Sequence, residues 1–196
     1  PETFDPSNKL WVEIWNDVFM QYNKKADGTF EPLSQRNVDT GMGLERITAV
    51  LQGKKSCYET EIFAPIFAAL DGVRGVEWQD PADRCASERI IADHLRAATF
   101  ILADGITPGR VDQPYVLRRL IRRAIREGRK LGITGKLFTS RIAEAVIAEF
   151  GEFYPELVEK RDIIVSELDR EEKQFGITLE NGIREFQKLV DRVPAF

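Results

Sequence analysis

Hydrophobic periodicity places the chain in a mainly α (α+β) class, with an antiparallel strand pair near its N-terminal end and helices after it. Three observations predict this. Apolar residues alternate with period two as far as about Asp39 and recur with a period near 3.6 from there on. Gly, Pro and Asp clusters punctuate the chain between those segments. A composition of 43% hydrophobic and 31% charged residues over 196 positions is that of a folded globular protein with a sizeable core.

The first strand is expected over Leu10 to Tyr22, a run rich in aromatic and β-branched residues. Alternation puts Val12, Ile14, Asn16, Val18 and Met20 on one face, so an amide sits among aliphatics, and Trp11, Glu13, Trp15, Asp17 and Phe19 on the other. Asn23 to Thr29 contains Ala-Asp-Gly-Thr, a turn signal, and a second extended stretch runs from Phe30 to Asp39 with Pro32 marking an edge or irregularity. Helices follow over Gly43 to Gln52, closed by Gly53, then Tyr58 to Leu70 and Arg84 to Leu102. After a loop with Pro108 and Pro114, a basic helix is expected from Tyr115 to Leu131 and another from Leu137 to Phe150. One long helix is expected from Pro155 to Val193, because Leu157, Ile164, Leu168, Phe175, Leu179, Phe186 and Val190 recur at gaps of seven and four.

Composition excludes several classes. No apolar run approaches the roughly 20 residues of a bilayer span, and Pro1 to Asp5 lack the basic and apolar regions of a signal peptide. Cys57 and Cys85 form no C-x-x-C, and with a single histidine neither a disulfide partner nor a metal cluster is expected. A reducing, cytoplasmic setting follows. The absence of an initiator Met and the polar opening suggest a piece of a longer protein. The net charge of -4 conceals a segregation: residues 84–130 hold 11 Lys and Arg against 5 Asp and Glu, between acidic flanks. Phosphate binding depends on such local fields more than on the total.

Two constellations carry possible chemistry. In Val38-Asp39-Thr40-Gly41-Met42-Gly43-Leu44-Glu45-Arg46-Ile47, glycines at a strand-to-helix junction admit a ligand to the backbone, and free N–H groups at the new helix favour an anion. Arg46 stands where a dinucleotide fingerprint needs glycine. A nucleotide site and an ordinary strand-turn-helix both fit these residues. In the basic helix, Leu117, Leu120, Ile121, Ala124 and Ile125 form an apolar stripe, while Arg118, Arg119, Arg122, Arg123, Arg126, Arg129 and Lys130 cover the rest with only Glu127 opposing them. A solvated face and a nucleic-acid surface are the two readings. His94 beside Asp93 reads as a structural hydrogen-bonding residue.

Gly41-Met42-Gly43-Leu44-Glu45-Arg46-Ile47 resembles motif 3 of class II aminoacyl-tRNA synthetases, and the longer run from Asn37 resembles the alanyl-tRNA synthetase family. Glu13 to Asn16 with Val18 to Gln21, Ile91 to Arg96, Tyr115 to Ala124, and Glu171 to Phe175 agree in the same order along the chain. The resemblance implies that residues 1–55 are the C-terminal part of a catalytic domain and 56–196 a helical domain recognising the tRNA acceptor stem. It implies Arg46 on the ATP phosphates, Gly43 against the adenylate, Asp39 on the substrate ammonium, Asn16 orienting the amino acid, Val18 capping its methyl group and Gly41 against the alanine. For the RNA it implies Arg118, Arg119, Arg122, Arg123 and Arg126, with Arg123 at a G·U pair. Equal-length matching puts Asp112 where the family usually has an asparagine, in the loop before the helix. The implied partners are alanine, ATP with Mg²⁺ in the full-length enzyme, and tRNA(Ala); motifs 1 and 2 belong upstream of Pro1, so this piece alone is expected to be inactive and to bind no cofactor tightly. Two other classes remain: a non-catalytic helical RNA-binding adaptor, and a protein-protein module using the long C-terminal helix. A motif 2 arginine upstream of Pro1 separates the enzyme from the adaptor.

Overall fold

A computed structural model describes residues 3, 5, 7 and 11–191, and divides the chain into two compact units, Pro1–Thr60 and Glu61–Phe196. In the first unit, β1 (Trp15–Lys24) and β2 (Phe30–Met42) form an antiparallel ribbon. The strand begins later than alternation predicts: Trp11 to Ile14 carry no strand, and Leu10 lies outside the described residues. A turn over Lys25 to Thr29 closes the hairpin, with the Lys25 N–H donating to the Thr29 carbonyl at 2.8 Å. Pro32, which has no N–H for a ladder, lies opposite Tyr22 beside the register shift between Met20 and Tyr22. The second strand runs three residues past its expected end and leads through Gly43 into α1 (Leu44–Leu51). Gly53, in the left-handed region at φ +66°, follows that helix.

The second unit is helical: α2 (Ala64–Arg74), α3 (Ala86–Ala103), α4 (Asp112–Lys130), α5 (Thr139–Phe150), α6 (Pro155–Glu159) and α7 (Arg161–Val190). The expected helix from Tyr58 is interrupted. Cys57–Glu59 forms a single 3-10 turn, and the α-helix starts only at Ala64, with Pro65 in its first turn. The expected long C-terminal helix is two helices, broken at Lys160, whose ammonium donates to the Ala103 carbonyl at the end of α3. Gly176 and Gly182 do not interrupt α7, and Val193 lies outside the described residues.

Phe67 and Leu70 of α2, Ile91 and Leu95 of α3, Leu117 and Ile121 of α4, Ile142 and Val146 of α5, and Ile164 and Leu168 of α7 are fully buried in one core. Close approach is built in at Gly128, where a Cβ would lie 2.6 Å from Phe138 Cζ. Buried charges hold the frame. Arg84 donates to Asp71 at 2.5 and 2.6 Å and to Glu88 at 3.2 Å, with Phe67 under its guanidinium at 4.9 Å. The bond to Asp71 raises the Arg84 pKa; burial would raise that of Glu88, but hydrogen bonds from Cys85 and Arg84 outweigh it and lower it. Among the described residues no helix is long and apolar enough to cross a membrane.

Candidate functional site

Four of the residues singled out in the sequence meet on one face of the ribbon. Asn16 lies opposite Gly41 and Val18 opposite Asp39. Cross-strand partners project to the same side and residues two apart share a face, so the four make a two-by-two patch with partners about 5 Å apart. The other face carries Trp15, Asp17, Val38 and Thr40, with the Trp15 indole N–H donating to Thr40 Oγ1. Val18 is 49% exposed and so is not core in this unit. A Cβ on Gly41 would meet no described atom within 4 Å, and its φ is not in the left-handed region. The ribbon itself therefore gives no reason for a glycine there.

At the end of the ribbon the Gly43 N–H donates to the Ile14 carbonyl at 3.1 Å, adding a rung beyond Met42. Arg46, in the first turn of α1, donates from Nη1 to the Glu13 carbonyl at 2.9 Å. A Cβ on Gly43 would stand 3.4 Å from Arg46 Cδ, so the glycine leaves room for that side chain to lie back over the turn. A guanidinium has five N–H donors, and one bond to a carbonyl leaves capacity for a phosphate.

The basic helix divides into two faces that the sequence does not distinguish. Arg122 Nε donates to Glu171 Oε1 at 2.6 Å and the guanidinium lies 5.0 Å over the Phe175 ring; Arg118 Nε approaches the same oxygen at 3.3 Å and its Nη2 donates to the Pro108 carbonyl at 3.1 Å. Arg129 donates to Glu180 of α7 at 3.1 Å. These three cations fasten α4 to α7 and to the loop before it. Arg119, Arg123, Arg126 and Lys130, at spacings of four, three and four, form the exposed face. Arg119 lies 5.8 Å over Tyr115, and Arg123 makes no ion pair or hydrogen bond among the described residues. Arg126 and Lys130 share the buried Glu127, which also accepts from Ser87 at 2.8 Å. Those bonds, the one from Lys130 foremost, hold the Glu127 carboxyl down at about 2.

Asp112 is not in the loop before the helix. It is the first residue of α4, three residues ahead of the expected start, exposed and with a left-handed backbone at φ +53°, which Asp and Asn tolerate better than most residues. His94, half-buried on α3, bonds through Nδ1 to Asp93 Oδ2 at 2.9 Å. Sequence reasoning gives Glu171 and Glu172 no role of their own; the available signal is a pair of acids interrupting the apolar stripe between Leu168 and Phe175. Glu172 caps α5, accepting from the Phe138 and Thr139 N–H groups at 3.1 and 2.9 Å and from Thr139 Oγ1 at 2.6 Å. Burial nonetheless pushes its carboxyl up.

The family model described as tRNA synthetases class II (A) matches residues 2–195. The chain belongs to that family. Alanine--tRNA ligase of Treponema pallidum (strain Nichols) is 49% identical over 184 residues, covering 93% of this chain and 30% of the relative. Alanine--tRNA ligase of Pseudoalteromonas translucida (strain TAC 125) is 49% identical over 183 residues, 93% of this chain and 20% of the relative. "Alanine--tRNA ligase, cytoplasmic" of Dictyostelium discoideum is 45% identical over 189 residues, 92% of this chain and 20% of the relative. The chain thus spans about a fifth to a third of the length of the curated relatives it matches.

Proposed function

We propose that the chain supplies part of the alanine-activating site and the RNA-gripping helices of an enzyme that joins alanine to tRNA(Ala) in the cytoplasm. Residues 1–55 then belong to the catalytic domain and 56–196 to acceptor-stem recognition. The observation that carries this is the register that puts Asn16, Val18, Asp39 and Gly41 in one exposed patch, on the ribbon whose entering chain holds Arg46 through the Glu13 carbonyl. Asp39 accepts from the substrate ammonium, Asn16 orients the amino acid, Val18 meets the methyl group, and Gly41 leaves the space above the strand open. Arg46 meets the ATP phosphates and Gly43 lets the adenylate approach. The alanine carboxylate attacks the α-phosphorus and pyrophosphate leaves; a terminal ribose hydroxyl of the tRNA then attacks the alanyl carbonyl and AMP leaves. Mg²⁺ carried in with the ATP would supply neutralisation of phosphate charge. A site of this kind works by positioning and charge stabilisation, which suits a patch made of a carboxylate, an amide, an arginine and open backbone.

The test uses the full-length enzyme. Asp39→Asn removes a charge-assisted bond of roughly 1.5 to 3 kcal/mol and is expected to lower alanine-dependent pyrophosphate exchange about ten- to hundredfold. Gly41→Ala fills the open space and is expected to raise KM for alanine with the melting temperature unchanged. Unaltered exchange kinetics in both variants sink the assignment.

A further inference from the structure

Arg119 and Arg123 form a ridge with a different groove on either side. Toward α7 the lining is cationic and aromatic: Tyr115, Arg118, Arg122, Arg126 and Phe175. Toward α3 the groove is lined by His94, Val116 and Leu120 beneath the same two arginines. The second groove is the unexpected one. Val116 is 52% exposed on a helix whose other exposed positions are mostly charged, and a solvated basic face needs no aliphatic floor. His94 is held by the Asp93 carboxylate through Nδ1, which leaves Nε2 as the ring nitrogen open to a ligand.

We propose that this groove takes a single unpaired nucleotide of the bound RNA, with its base on Val116 and Leu120, its phosphate on Arg119 and Arg123, and His94 at the base edge. The inference rests on the RNA-binding reading above and goes beyond it, by assigning an unstacked base to a place that a purely phosphate-binding helix does not require. Charge complementarity selects the occupant. Two guanidinium groups, one of them without a partner among the described residues, flank an apolar floor with one hydrogen-bonding edge. An apolar peptide would leave those cations unmatched, and a free phosphate would leave the floor uncovered. Unpaired nucleotides bring both a flat apolar base and an anion, and proteins that read RNA commonly take them splayed out of the helix.

The experiment compares two fluorescent RNA hairpins by anisotropy titration against the full chain, one blunt and one with the same stem and a short unpaired 3′ tail. The wild-type chain is expected to bind the tailed hairpin about tenfold more tightly, the scale of one well-seated base. Val116→Ala and His94→Gln are expected to remove most of that advantage while leaving the blunt hairpin within about twofold of wild type; Arg126→Ala, away from the groove, should weaken both hairpins alike. Val116 lies at the surface, so its truncation leaves the core intact. Equal losses on both hairpins in the two groove variants, no loss in either, or an abasic tail that binds as well as a base-bearing one would overturn the proposal. Wild-type chain that binds both hairpins equally overturns the groove alone, whereas binding to neither overturns the RNA reading beneath it.

Discussion

In the ribbon, Asn16, Val18, Asp39 and Gly41 are aligned by main-chain pairing alone, with nearly every side chain on both faces exposed. In the helical unit, Arg118 and Arg122 are aimed by the buried Glu171, while Arg126 and Lys130 are held by the buried Glu127. The two devices fail differently. Backbone register tolerates side-chain changes and is destroyed by a one-residue slip, which would turn the whole patch to the other face. A carboxylate anchor tolerates surface change too, but removing it or its partner leaves a charge stranded in the interior.

The largest expected effect breaks the helical side only. Arg84→Ala strands Asp71, while Glu88 keeps Arg74 at 2.6 Å, and the loss of one partner from a buried ionic cluster costs about 3 to 5 kcal/mol. Circular dichroism should show the helical melting transition fall steeply; a transition within a degree or two of wild type would mean the cluster adds nothing to this fold. A smaller effect sharpens the division within α4. Arg122→Ala leaves Glu171 underpaired and is expected to lower the melting temperature, whereas Arg126→Ala leaves Glu127 with Lys130 and Ser87 and is expected to lower it less and to flatten the salt dependence of RNA binding by somewhat under one log-log unit. The opposite pattern would reverse the two faces. Arg123→Ala is expected to weaken a stem with a G·U pair more than a G·C stem, as loss of a base-edge contact does.

The smallest effect is on pH dependence. Glu127 sits below its ordinary range in the folded state, so the stability it contributes is present above about pH 5 and lost as pH falls toward 2. Glu172, pushed up by burial, has the opposite sign and weakens the fold as pH rises through its raised value. Chemical denaturation between pH 2 and 6 should give a flatter profile for Glu127→Gln than for wild type.

The change of period near Asp39 and the apolar stripe of α4 were legible because each follows from one element's own spacing. Leu117, Ile121, Ala124 and Ile125 are buried as that stripe requires, and Leu120 half-buried. The break at Lys160 was not legible, because Leu157 and Ile164 keep helical spacing across it and the Ala103 carbonyl that takes the Lys160 ammonium is 57 residues away. Nor was the start of α4: Pro114 reads as loop, yet proline is acceptable in a helix's first turn, where its missing N–H has no bond to make. The sorting of seven cations into anchored and exposed sets depends on which acids α7 brings alongside, and no pattern within α4 carries that information. The candidate patch was partly legible: period two puts Asn16 with Val18, and Asp39 with Gly41, but which faced which waited on the pairing across the turn.

The two consecutive carbonyls of Glu13 and Ile14 hold, respectively, the Arg46 guanidinium and the Gly43 amide. A helix start and its arginine are thereby bolted to adjacent points of the chain that enters β1, at the end of the ribbon where Asn16 pairs with Gly41. The junction acts as a fixed ruler. If Arg46 takes a phosphate and Asp39 an ammonium, the separation of the two substrates' charged ends is set before either arrives, and thermal motion of the turn does not have to be frozen out at each turnover.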